Sequence, residues 1–152
     1  MMENKTMYQL LIAQLKALTE NNPYQISNLA NVTALIYDSL EQINWAGFYI
    51  MQDGKLILGP FQGKVACTQI AVGKGVCGTA VTTGETQRVD DVHLFAGHIA
   101  CDSASNSELV IPVYKDGEIF GVLDIDSPVK DRFSEEDQAG LEALVKELET
   151  VL

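Results

Sequence analysis

Two Asp-Gly turns, Asp53-Gly54 and Asp116-Gly117, do most to limit what this chain can fold into. Each lies between two runs of strand-forming residues: 45–51 and 55–60 around the first, 108–114 and 119–125 around the second. Asp and Gly tolerate the left-handed backbone that tight hairpins demand, so each unit predicts a pair of antiparallel neighbours. Helical patterns flank these hairpins. Met7, Leu10, Leu11, Leu15 and Leu18 recur at helical spacing, and Asn21-Asn22-Pro23 stops them. A second helix is expected from Tyr24 or Gln25, carrying Ile26, Leu29, Leu35, Ile36, Leu40 and Ile43. A further strand is expected over 65–72. Gly73-Lys74-Gly75 then opens a short helix over 76–83, which Gly84 closes, and 87–89 reads as an edge strand. Ser134-Glu135-Glu136-Asp137 has the form of a capping box and starts a last helix with Leu141, Leu144, Val145, Leu148 and Val151 on one face. Helices, antiparallel strands with one long excursion, then a closing helix describe an α+β fold with helices on one sheet face. With 152 residues and neither repeat nor linker, residues 1–152 are expected to form a single domain.

Charge narrows the partners. The net charge is −11 and the sequence pI about 4.4. Such a surface repels phosphate backbones and anionic lipid, so neither nucleic acid nor a membrane is an expected partner. No apolar run approaches the roughly 18 residues of a membrane span. The first residues, Met1-Met2-Glu3-Asn4-Lys5, lack the apolar core of a secretory leader, and the cytoplasm is the expected compartment.

Three cysteines, Cys67, Cys77 and Cys101, point to the chemistry. Cytosolic thiols are kept reduced, so they are poor candidates for a structural staple. Each lies in polar or glycine-bearing sequence, which suggests thiol redox chemistry. Taken singly, Cys67 and Cys77 are also compatible with small core residues. Cys101 falls in a long polar loop, 90–106, that holds both histidines. Loops of that length are often functional, and Phe95, Gly97-His98 and Ile99 read as a folded lid. No Cys-x-x-Cys pair is present and no metal is expected.

Asp124 and Asp126 sit two apart on a strand and therefore share a face. The same alternation puts Phe120 and Val122 with them, and Leu123 and Ile125 opposite. Two acids on a face with apolar neighbours are costly unless paired or wet, and a substrate ammonium would pair them. An ordinary solvated strand end is the plainer alternative. Glu108 joins them only in one hairpin register. A two-residue loop would put Leu109 opposite Asp124. A three-residue loop, Lys115-Asp116-Gly117, would instead make Glu108 face Asp124, and that is the register expected.

The strings Val65-Ala66-Cys67, Gly73-Lys74-Gly75-Val76-Cys77-Gly78, Asp91-Val92, Phe95-Ala96-Gly97-His98-Ile99-Ala100-Cys101-Asp102, Ser107-Glu108 and Leu123-Asp124-Ile125-Asp126 resemble the free methionine-(R)-sulfoxide reductase family, a catalytic branch of the GAF fold. The likeness runs from about Tyr24 to Leu144. It implies a GAF-like antiparallel sheet, helices on one face and a loop-capped pocket on the other. It implies reduction of free methionine (R)-sulfoxide to methionine, with thioredoxin as reductant and no cofactor. By the same resemblance Cys101 is the nucleophile, Cys67 its resolving partner in a disulfide, and Cys77 an auxiliary recycling thiol. Trp45, Tyr49, Glu108, Asp124 and Asp126 fall at the family's substrate-pocket positions. A homodimer is left open. The chemistry is consistent with this set: an attacking thiolate, an acid to protonate the departing oxygen, and a second thiol to resolve the sulfenic acid. The rival reading is a GAF domain that binds a small molecule or senses oxidants without catalysis.

Overall fold

The computed structural model describes residues 3–98 and 104–152. Helix α1 (Asn4–Thr19) buries Tyr8, Leu11 and Leu15. Asn21 then turns left-handed, φ 59°, and across the corner the Asn22 amide donates to Asn28 Oδ1 at 2.8 Å while the Asn28 amide donates to the Asn22 backbone carbonyl at 3.0 Å. Helix α2 (Gln25–Ser39) buries Leu29, Val32 and Ile36. It stops short of the expected Ile43. Leu40 is already extended and Gln42 takes φ 56°, where its carbonyl accepts the Ser127 hydroxyl at 2.6 Å.

Strands β1 (Trp45–Gln52) and β2 (Lys55–Gly63) form the first hairpin. Strand β3 (Gln69–Ala71) is shorter than the expected 65–72. The lost part, around Lys64 to Cys67, is held by side chains rather than by a strand ladder: Trp45 Nε1 donates to the Lys64 carbonyl at 3.1 Å and the Tyr49 hydroxyl to the Cys67 carbonyl at 2.9 Å. Helix α3 (Gly75–Thr83) and strand β4 (Gln87–Val89) follow. The loop beyond β4 makes one 3-10 turn at Val92–Leu94, and residues 99–103, with Cys101, lie outside the described residues. Strands β5 (Ser107–Lys115) and β6 (Glu118–Ser127) and helix α4 (Glu135–Glu149) complete the chain.

The six strands are antiparallel neighbours in the order β3-β2-β1-β6-β5-β4. Helices α1, α2 and α4 cover one face through a core of Leu11, Leu15, Val32, Ile36, Phe48, Leu123, Ile125, Leu141 and Leu144. Full burial of each such side chain stabilises by about 1.5–3 kcal/mol. Helix α3 lies against β5 and β6 on the other face, over a smaller core that includes Trp45, Tyr49, Ile70, Val76, Cys77, Val110 and Val122. The Ser134 capping box is present. Its Asp137 is buried, accepts the Ser134 backbone N–H at 2.9 Å and an Arg132 N–H at 3.1 Å, and takes the Tyr8 hydroxyl of α1 at 2.6 Å. Among the described residues no helix is long and apolar enough to cross a membrane.

The β5–β6 hairpin corrects two expectations. Lys115 pairs with Glu118, so the loop is the two-residue Asp116-Gly117 turn, with φ 53° and 80°. The register then shifts inside β6, because Tyr114 pairs with Ile119 and Val113 with Gly121, leaving Phe120 as an extra residue. This bulge turns Phe120 onto the helix side, where it packs against the main core, and away from Val122. Glu108 ends directly across from Asp126, and Val110 across from Asp124. Paired residues share a face, so Glu108, Asp124 and Asp126 converge after all, by a route different from the expected loop.

Candidate active site

Three adjacent strands put their pocket-side residues in one place. β1 contributes Trp45 and Tyr49, β6 contributes Val122, Asp124 and Asp126, and β5 contributes Glu108 and Val110. Gly47, paired with Asp124, carries no side chain, and a Cβ there would lie 2.7 Å from the Trp45 ring. The absence of a side chain lets Trp45 lie along the sheet, stacked on Tyr49 at 5.9 Å and on Phe61 at 5.2 Å between centroids. The N-terminal turn of α3 closes the floor with Lys74, Gly75, Val76 and Cys77. Ala66, His98 and Ser105 line the remaining wall. His98 and Ser105 are pocket residues that the sequence reading does not place there. They reach it through tertiary packing that no local pattern encodes.

The three acids sit together, with Glu108 and Asp124 buried and Asp126 half-buried. Glu108 is 8% exposed and Asp124 5%. Burial holds the Glu108 carboxyl well above the ordinary carboxylate range, and the charges of Asp124 and Asp126 push it the same way. Asp124 is also raised by burial, but hydrogen bonds from Glu108, Asp126 and Cys77 oppose the rise. Neighbouring charges thus push Glu108 further up, whereas the donors around Asp124 restrain its rise. Asp124 Oδ1 is buried with no hydrogen-bond partner among the described residues. The Cys77 thiol and one oxygen each of Glu108 and Asp124 lie within 4.8 Å of one another. Such spacing would also suit a cation; in the protein alone, burial raises the pKa of both Glu108 and Cys77 and favours their protonated, donor forms. Burial, and then His93, hold the His98 imidazole below its usual value against the pull of Asp124. His98 therefore favours its neutral form, which does not suit it to lower a thiol pKa as an imidazolium.

The sulfurs differ sharply. Cys77 is a buried free thiol. Cys67 is half-buried and its sulfur is in a disulfide. Its carbonyl takes the Tyr49 hydroxyl, so the two aromatic residues selected as substrate contacts also post the Cys67 segment beside the pocket. Tyr49's own pKa is pushed up, first by burial and then by Asp124.

Comparison with known proteins narrows the chemistry. The GAF domain profile matches residues 27–152. The chain is 56% identical over 147 residues to Protein YtsP of Bacillus subtilis, covering 95% of this chain and 90% of that one. It is 55% identical over 150 residues to the free methionine-R-sulfoxide reductase of Escherichia coli, covering 98% and 91%. Its fold superposes on the solved structure of fRMsr of Staphylococcus aureus in complex with substrate with a TM-score of 0.91 at 54% identity, over 95% of each chain.

Proposed function

Because the chain belongs to the free methionine-R-sulfoxide reductase family of GAF-fold proteins, we propose that it reduces free L-methionine (R)-sulfoxide to methionine with thiol electrons. The observation that carries this reading is the convergence of Glu108, Asp124 and Asp126 beside the Trp45 ring on one sheet face. A zwitterionic amino acid brings an α-ammonium, and a buried carboxylate with an unpartnered oxygen is a natural acceptor for it. A peptide-bound methionine lacks that ammonium. Trp45 offers a flat apolar wall and a sulfur contact for the S-methyl end.

In the proposed cycle the Cys101 thiolate attacks the substrate sulfur. The proton held by Glu108 passes to the sulfoxide oxygen; the substrate's sulfur–oxygen bond and the transient bond between the two sulfurs then break as the hydroxyl passes to Cys101 Sγ, leaving a sulfenic acid while methionine departs. The Cys67 thiol then condenses with the sulfenic acid, releasing water and forming a Cys67–Cys101 disulfide. Supporting Cys67 as the resolving thiol are its place beside the pocket and its disulfide state, against the free, buried Cys77. Thioredoxin resets the pair by dithiol exchange. A thioredoxin-fed cycle belongs in a reducing compartment, and we place the protein in the cytoplasm on that ground.

The test is substrate choice. With thioredoxin and its reductase, turnover is expected on free methionine (R)-sulfoxide, and little on the (S) epimer or on N-acetylated or peptide-bound sulfoxide. Equal rates on free and peptide-bound sulfoxide would remove the substrate assignment.

A further inference from the structure

Cys77 is the group that this cycle leaves unused. It is the third residue of α3, 4% exposed, and closes the floor of the pocket. Its thiol lies within 4.8 Å of the nearest oxygens of Glu108 and Asp124, close enough for the S–H to be directed at the Asp124 carboxylate. A thiol that exchanges disulfides must be reached by a partner sulfur and must ionise, because the thiolate is the reacting form. At 4% exposure, Cys77 is poorly placed for both. Burial opposes ionisation, and the surrounding acids, Asp124 first, oppose it further. A neutral S–H is a donor, and the Asp124 carboxylate beside it is an acceptor.

We propose that Cys77 is a positioning residue rather than a recycling thiol: its S–H donates to Asp124 and holds that carboxylate turned into the pocket, ready for the substrate ammonium. The proposal deepens the reading of this pocket as a free-amino-acid site and rests on it. The hydrogen bond has a directional consequence. A donor to an ionised carboxylate favours its charged form, so Cys77 counters part of the rise that burial imposes on Asp124. Glu108 holds the proton, Asp124 holds the charge, and Cys77 enforces that division from below.

Two variants and one labelling experiment test this. Cys77→Ala removes the donor and Cys77→Ser restores one. The Ala variant is expected to lose about tenfold in kcat/KM, carried mainly by KM, the scale of one lost hydrogen bond to a charged group. Its acidic limb in kcat/KM is expected to move to higher pH, because Asp124 loses a donor to its ionised form. Cys77→Ser should recover most of both effects, which a redox cysteine replaced by serine would not do. Equal impairment of Ser and Ala with an unmoved acidic limb would overturn the proposal. Labelling does not depend on activity. In reduced, folded wild-type protein, iodoacetamide followed by peptide mapping should modify Cys67 while Cys77 reacts only after unfolding. Labelling of Cys77 as fast as Cys67, or a Cys77 disulfide after cycling with thioredoxin, would also overturn it. If the wild type fails to turn over free methionine sulfoxide, the substrate reading falls, and the labelling still decides whether Cys77 is a donor or a redox thiol.

Discussion

Glu108→Gln separates the energetics of the acid cluster from its chemistry. Gln copies the acid form of Glu108 in shape, and its amide N–H can donate where the carboxyl O–H did. In the native protein, burial and then Asp124 and Asp126 raise the Glu108 pKa. In the unfolded chain the group returns to about 4.3. Between those two values the native state holds a proton that the unfolded state has released. Parent stability therefore falls as pH rises through the window, by up to about 1.4 kcal/mol per pH unit. The Gln variant has no proton to lose there. The two proteins should be nearly equal in stability at about pH 4, and the variant should gain steadily as pH rises until the native Glu108 pKa is passed. Urea unfolding of both proteins, fully reduced, at a series of pH values reads the difference directly. Activity should move the other way: loss of a general acid is expected to lower kcat by about 10²–10⁴-fold with little change in KM. A stability difference that is flat or shrinks with pH would mean that Glu108 is ionised in the native protein. Near-parental kcat would mean that the sulfoxide oxygen takes its proton elsewhere.

Other perturbations read other parts of the cycle. Cys101→Ser should release no methionine in a reductant-free single turnover, whereas Cys67→Ser should release one equivalent and then fail to cycle with thioredoxin; the reverse pattern would exchange the two roles. Asp124→Asn and Asp126→Asn should each lower kcat/KM by about ten- to a hundred-fold, mainly through KM, while thermal stability holds or rises, and near-parental kinetics in both would remove the ammonium site. Gly121→Ala should destabilise by about 1–3 kcal/mol in chemical unfolding, because a Cβ there would collide with the Tyr49 carbonyl of the neighbouring strand.

The parts of this fold legible in the sequence are those governed by local chemistry. Both Asp-Gly pairs take positive φ as their residue types demand, and the Ser134 hydroxyl caps α4 as its spacing predicts. The sharing of a face by Asp124 and Asp126 follows from strand period alone. What was not legible depends on partners far along the chain. The extra residue at Phe120 is invisible to an alternation count, because Phe suits either face equally. The bulge is fixed by which face has room for the ring. The short β3 follows from Trp45 and Tyr49 capturing the carbonyls of Lys64 and Cys67, bonds spanning 19 and 18 residues. Cys77 among the acids is a meeting of α3 with β5 and β6 that its own neighbours, Val76 and Gly78, do not announce.

The Tyr8–Asp137 bond has a practical corollary for anyone cutting this gene into parts. The profile that marks the family begins at residue 27, after α1 has ended. A boundary drawn there would delete Tyr8, Leu11 and Leu15 from a core they share with Leu141, Leu144 and Leu148. It would also strip the buried Asp137 of its phenolic donor and expose the gap at Gly140, where the absence of a Cβ makes room for the Tyr8 ring. The packed core thus extends beyond the segment that the profile recognises, and a truncation library should count α1 as inside the domain.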